Sequence, residues 1–405
     1  MTKKKFFVCY LYSGDKMKKV FFALILMIGI GSILIVNGPR VVYEDKNEEK
    51  RSIFISYIEL SKYLNGKNVD EGKKNIDSII NNVKELGFNE VIVQVRSFAD
   101  AIYPSDIFPW SACISNEEGV SPGYDVFEYF IDKAHSQDVR VIAWINPYRI
   151  RTSEGVSGIS EKSPAYQYLN TDVVYINNGI YFNPSKEVVT ELIVEGVKEI
   201  ISKYEVDGIL FDDYFYPDNE IDNDDYKKYL ENNEYISKEQ YNLNVISNMV
   251  KEVYKVCKES GVKFGVSPDG NIDNNYNKVF ADVKKWCSED GYIDFIMPQV
   301  YYGFYNETKA FKKVVDEWEN IISNDNIELS IALAFYKIGE VDNYAKSGMY
   351  EWVNNNDIIM REIIISRNLN KYGGFALFRY DYIFNNDLYN EMTMVEIENM
   401  KKVLN

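Results

Sequence analysis

The chain has 405 residues, 46% hydrophobic and 26% charged, and a formal net charge of −17. That composition supplies a large core and excludes a disordered chain, and so acidic a surface repels polyanions, so nucleic acid is not an expected partner. A single histidine, His135, excludes His-rich metal sites and HExxH chemistry and would have to serve in any Ser-His-Asp triad. Carboxylates, tyrosines, amides and arginines must then carry whatever chemistry occurs, and no metal or cofactor is expected.

Lysines at 3, 4, 5, 16, 18 and 19 precede an apolar run from Val20 to Val36, which ends at Asn37-Gly38-Pro39. A basic segment ahead of an apolar stretch is the pattern of an export signal or an N-terminal membrane anchor, and residues 1–37 are read as one of the two. Met17-Lys18-Lys19 would make a compact alternative start. A charged linker is expected over 38–51. The remainder, 52–405, is expected to work outside the cytoplasm, at the cell envelope, either secreted or held to the membrane through an uncleaved apolar segment. The exported part carries Cys113, Cys257 and Cys287 and no CxxC, so buried free thiols are expected, with a Cys257–Cys287 bridge as the alternative.

From Ser52 onward short apolar runs alternate with helical patterns. The runs are Ile53–Ile58, Val91–Val95, Val139–Ile145, Gly208–Phe211, Lys263–Val266, Phe295–Met297, Leu329–Ala334 and Gly374–Phe378. Most are apolar throughout, as strands covered on both faces should be. Between them, Ile76, Ile79, Ile80 and Val83 recur at helical spacing, as do Val188, Leu192, Ile193, Val197 and Ile200, and Val245, Met249, Val253 and Val256. Eight strand–helix units predict a single α/β domain over 52–405, a (β/α)8 TIM barrel, with long βα loops at about 97–124 and 146–185. No glycine-rich phosphate loop follows the first strand, which disfavours a doubly wound sheet.

In such a barrel the residues just past each strand form the site. These are Arg96, Ser97, Phe98 and Asp100 after the second strand, and Asn146, Tyr148 and Arg149 after the third. Asp212, Asp213 and Tyr214 follow the fourth, Asp269 the fifth, Gln299 and Tyr301 the sixth, and Arg379 and Tyr380 the eighth. Aromatic rings beside amides and carboxylates suit a sugar, whose C–H faces stack and whose hydroxyls need donors and acceptors. Strand alternation lets one of Asp212 and Asp213 enter the barrel mouth, and Asp212, directly after Phe211, is the choice. Asp213 then fixes a loop or binds a hydroxyl. Glycoside hydrolysis needs a second carboxyl about 5–5.5 Å away for retention, or roughly 6.5–9.5 Å for inversion, and Asp269 and Asp100 are the candidates. Arg149 and Arg379 are read as partners of a substrate carboxylate or of an aspartate, with rim salt bridges as the alternative. The run Asp218–Asp225 is read as a solvated excursion, Asp207 as a turn residue, and His135 as a partner of its helix C-terminus.

The segments Val95–Trp110, Ser121–Asp125, Ala143–Arg149, Tyr181–Pro184, Val206–Pro217, Gly265–Pro268, Asp294–Val300 and Gly373–Tyr380 together resemble the glycosyl-hydrolase-like family ten, which is distinct from the xylanases of the same number. The resemblance implies a barrel of the bacterial envelope whose characterised relatives cleave peptidoglycan glycan strands stripped of stem peptides. On the strand-end reading Asp212 is nucleophile or electrostatic stabiliser, Asp269 or Asp100 is the general acid, and the sugar is held by Arg96, Asn146, Tyr148, Arg149, Asp213, Tyr214, Gln299, Tyr301, Arg379 and Tyr380. The layout Asp207–Asp212 (DGILFD) is also similar to the fourth-strand motif of several retaining α-glycosidase barrels. Two departures stand out: relatives often carry an aromatic where Asp269 stands, and tryptophan and arginines near Gln240-Tyr241-Asn242. A glycan-binding barrel without catalysis, and hydrolysis of another extracellular polysaccharide, are the alternatives.

Overall fold

The computed structural model describes residues 48–404; the apolar run, the proposed signal or anchor and Cys9 lie outside them. Eight parallel strands close into a barrel: β1 (Lys50–Ile55), β2 (Glu90–Arg96), β3 (Arg140–Ile145), β4 (Gly208–Phe211), β5 (Lys263–Val266), β6 (Phe295–Ile296), β7 (Glu328–Leu333) and β8 (Tyr372–Leu377). Neighbours in sequence are neighbours round the barrel, and β8 closes on β1. This is the (β/α)8 barrel expected from the alternating pattern.

Alternation along each strand sorts the core in two. Phe54, Ile92, Ile142, Trp144, Leu210, Phe295, Met297, Ala332 and Ala376 fill the barrel interior. Their neighbours, such as Ile53, Val91, Val93, Val141, Ile209 and Phe264, pack outward against the helices. The helix stripes meet this outer layer: Ile76, Ile79, Ile80 and Val83 are buried on the helix Val69–Glu85. Burial of a side chain of this size stabilises by roughly 1.5–3 kcal/mol, so the annulus dominates the energetics of the fold.

The first strand departs from expectation at both ends. It begins at Lys50, within the expected linker, because Lys50 Nζ reaches Glu328 on β7 at 2.6 Å and Arg51 Nη1 donates to the Leu404 carbonyl at 2.6 Å. Gly374 on β8 permits the approach: a Cβ there would stand 2.1 Å from the Lys50 carbonyl oxygen. It ends at Ile55 because Ser56 caps the helix Tyr57–Leu64, with the Glu59 carboxylate accepting from Ser56 N–H in return.

The loop after β3 carries a three-stranded antiparallel sheet of Arg149–Arg151, Val174–Ile176 and Ile180–Phe182. The Asp218–Asp225 segment is only in part the solvated excursion expected: Asn219, Glu220, Asn223 and Asp224 are exposed, and two of its acids are not. Asp222 is fully buried, bonded to Tyr216 Oη and Lys238 Nζ, and Asp225 accepts from Lys186 Nζ at 2.6 Å and Ser185 Oγ at 2.9 Å. Lysines brought in from distant helices neutralise these acids, which the local run of charges does not reveal. Cys113, Cys257 and Cys287 are free thiols, the latter two buried. Among the described residues no helix is long and apolar enough to cross a membrane.

Candidate active site

Inward alternation continues past the strand ends and sets the floor of the site. On β4 Gly208 and Leu210 face inward, and Asp212 is next in that series; on β3 the series is Ile142, Trp144, Asn146. Asp212 is 3% exposed. It accepts from the Trp144 indole at 3.0 Å, from the Asn146 amide at 3.2 Å and from the Tyr214 backbone N–H at 3.3 Å. Burial lifts its carboxyl above the usual range, while the Arg149 guanidinium and these donors pull against burial.

Asp213 lies in a different setting. Among the described residues its one side-chain donor is Gln299 Nε2 at 3.1 Å, and the same nitrogen also donates to the Ser267 carbonyl at 3.0 Å. Burial, then the adjacent Asp212 charge, pushes the Asp213 carboxyl up to about 7. Two neighbouring carboxyls thus differ in what surrounds them: one is braced for negative charge and the other holds its proton into the neutral range.

Asp213 and Gln299 border a cavity of ≈ 320 Å³, at the small end of the range for ligand sites, about 300–1,000 Å³. Asp269, Tyr301, Tyr302, Asn306 and Thr308 continue its wall, and Lys337, Asp342 and Tyr344 complete it from the loop after β7. Tyr301 packs edge-on to Tyr336 and tilted against Phe378, which fixes its ring. On the other side of Asp212, Arg149 lies over the rings of Phe98 and Tyr214 at 5.1 and 4.7 Å and reaches the Ser97 carbonyl at 3.4 Å.

Asp269, expected as a proton donor, is taken up locally. Its carboxylate accepts from Asn271 N–H at 2.7 Å, Asn274 Nδ2 at 3.0 Å and Tyr302 Oη at 3.4 Å. Asp100 is buried in the loop after β2, away from the cavity wall, its carboxyl raised to about 6 by burial.

Four other expected residues stand elsewhere. The register between β2 and β3 slips at Val95, so Gln94 pairs with Trp144 but Arg96 pairs with the outward Ile145. This bulge turns Arg96 to the outer face, where its guanidinium lies 3.8 Å from the Phe108 ring, against Gly196. Tyr148 is buried with an unpartnered hydroxyl. Tyr380 is buried among Tyr63 and Phe384, accepting from Asn82 at 2.8 Å. Arg379 is bonded to the buried Glu59 and forms the rim salt bridge weighed against substrate contact. Asp207 accepts from Val141 N–H at 2.8 Å and lies 2.8 Å from His135 Nε2, tying the end of one helix to the entry of β3.

Strand-end reasoning did not single out Trp144, Lys337, Asp342 or Tyr344. Trp144 was legible from the inward series Ile142, Trp144, Asn146. Lys337 stands three residues past Ala334, so the strand-end rule applied to the seventh strand reaches it. Among the described residues no group of three or more His, Cys, Asp or Glu is arranged to hold a metal ion.

Comparison with known proteins agrees with this architecture. The profile of the family described as "Glycosyl hydrolase-like 10" matches residues 49–350. The chain is 29% identical to glycosyl hydrolase YngK of Bacillus subtilis (strain 168), over 86% of this chain and 71% of that one. It is 30% identical to glycosyl hydrolase DigH of Escherichia coli (strain K12), over 75% of this chain and 74% of that one. In fold it is similar to the PgaB (BpsB) glycoside hydrolase domain from Bordetella bronchiseptica, with a TM-score of 0.56, 10% identity, and coverage of 87% of this chain and 99% of that one. It is similar too to the endo-1,4-beta-mannanase of Rhizomucor miehei, with a TM-score of 0.54, 12% identity, and coverage of 91% and 98%. The strand-end carboxylates, the closed barrel and the long profile match lead to one statement: the chain belongs to the glycosyl hydrolase-like 10 family.

Proposed function

We propose that the protein is an exported glycosidase acting on bacterial cell-wall glycan, with peptidoglycan strands lacking stem peptides as its substrate. The observation that carries the reading is the unequal pair Asp212 and Asp213 at the barrel mouth. Asp212, braced by Trp144, Asn146 and Arg149, is suited to carry negative charge against an oxocarbenium-like transition state, as stabiliser or nucleophile. Asp213, protonated near neutrality, is suited to donate to the leaving oxygen. This moves the proton donor from Asp269 and Asp100, whose carboxyls are engaged or buried elsewhere, to Asp213. Tyr301, Tyr302 and Tyr344 offer ring faces to sugar, and Gln299 orients Asp213. The basic N-terminus and apolar run from Val20 to Val36 support export and attachment to the envelope.

The test uses the full chain, purified in detergent, beside Asp212→Asn, which keeps an acceptor for the indole. Both are incubated with intact and amidase-stripped glycan strands, and new reducing ends are identified by mass spectrometry. Products from stripped strands, reduced about 10²- to 10⁴-fold in the variant, are the expected result. Equal pull-down of glycan by both proteins with no products would replace the hydrolase with a binding barrel.

A further inference from the structure

The charge balance of the cavity bears on which sugar enters it. Lys337 is the one cation in the wall, and it is already committed: its Nζ donates to Asp342 Oδ2 at 2.8 Å and to the Tyr301 carbonyl at 2.8 Å. Asp342 is in turn buried and accepts from Tyr344 N–H at 3.1 Å, so the pair forms a closed, neutral element of the wall. Among the described residues Asp213 and Asp269 have no such partner. Their hydrogen bonds come from the neutral groups of Gln299, Asn271, Asn274 and Tyr302. Arg149 lies beyond Asp212, stacked on Phe98 and Tyr214, and is not part of the wall.

A wall of this kind is a poor place for an anionic sugar. A lactyl carboxylate in it would meet the Asp269 carboxylate and, among the described wall residues, no unengaged cation, at the reduced dielectric of a concave site. An ammonium group would meet the opposite: the Asp269 carboxylate, an acceptor oxygen of Asp213, and the wall tyrosines Tyr301, Tyr302 and the 89% exposed Tyr344, a residue type whose ring attracts cations. We propose that this cavity is a subsite for a hexosamine unit bearing a free, protonated amine, that is, a de-N-acetylated sugar of the glycan strand. The selectivity rests on the glycosidase reading above, but binding can be measured without turnover.

The experiment compares three preparations of the same amidase-stripped strands: native, de-N-acetylated, and de-N-acetylated then re-acetylated with acetic anhydride. With the full chain, kcat/KM on the de-N-acetylated strands should exceed that on native strands by about tenfold, the effect of one charge-assisted hydrogen bond. Re-acetylation should abolish the gain, and raised salt should shrink it. In Asp269→Asn, checked for folding by circular dichroism, the ratio between the two strands should fall toward one. Hydrolysis of all three preparations at equal rates, or faster hydrolysis of native strands, overturns the amine subsite and leaves the glycosidase standing. If none is hydrolysed, the glycosidase reading fails, and calorimetric titration with glucosamine and N-acetylglucosamine oligomers decides the subsite. Tighter binding of the amine form supports it and equal binding ends it.

Discussion

A single nitrogen, Gln299 Nε2, donates to Asp213 Oδ1 at 3.1 Å and to the Ser267 carbonyl at 3.0 Å. It joins residues that follow β4, β5 and β6, and among the described residues it is the one side-chain donor that steadies an ionised Asp213. Its neighbour Asp212 has an indole, an amide and a backbone N–H. The two adjacent aspartates therefore differ in the donors that face them, and Asp213 in addition meets the Asp212 charge.

Removing that donor should raise the Asp213 pKa, because a hydrogen bond to the carboxylate favours the charged form. With Asp213 as proton donor, the alkaline limb of kcat, set by a group near 7, should move upward in Gln299→Met by about half a unit to one unit. Rates of reducing-end release between pH 5 and 9 measure it. A limb that stays in place would assign the titration to another group.

Asp213 should also couple folding to pH. Its folded pKa of about 7 lies above the ordinary 3.8, so the folded state binds more protons across that window, and stability from this group is lost as pH rises through it. Asp213→Asn should melt about 2–5 °C higher than the parent at pH 8, with little difference at pH 4, while its hydrolysis is lost. Calorimetric melting at the two pH values reads this out. Equal gains at both would mean the charge is not the cause.

A second pH effect arises outside the cavity wall. Glu362 is buried with neither carboxylate oxygen hydrogen-bonded, and burial followed by Glu396 pushes it well above the carboxylate range. Glu396 itself, raised to about 7, mainly by burial, accepts from Ile358 N–H at 2.9 Å and Met360 N–H at 3.1 Å. The sign is the same: this stability is present at acid pH and lost toward alkaline pH. Glu362→Gln should therefore raise the melting temperature at pH 8 more than at pH 5, with a difference worth about 1–3 kcal/mol. A pH-independent change in melting would contradict the argument.

Arg96 makes a contrasting case, since its outward position predicts a role in stability alone. A Cβ on Gly196 would stand 2.2 Å from Arg96 Nη1 and 2.9 Å from the Phe108 ring. Gly196→Ala should cost about 1–3 kcal/mol by overpacking, despite the higher helix propensity of alanine, and leave KM for glycan within about twofold. Denaturant titration and steady-state kinetics separate the two effects.

The fold was legible because its signals are local. Eight apolar runs and the intervening helical stripes depend on spacing along the chain, and the burial they predict needs no knowledge of partners. The inward direction of Asp212 follows from the same period of two. What only the tertiary structure decided are relations between distant segments. One inserted residue, Val95, reverses Arg96, because side-chain direction in a strand changes with a single step of register. Lys186 and Lys238, from other segments, neutralise Asp225 and Asp222, and Glu59 engages Arg379 across 320 positions. Above all, the distinction between Asp212 and Asp213 lies in which donors the folded barrel brings to each, and a carboxyl's affinity for a proton is set by those neighbours and by burial.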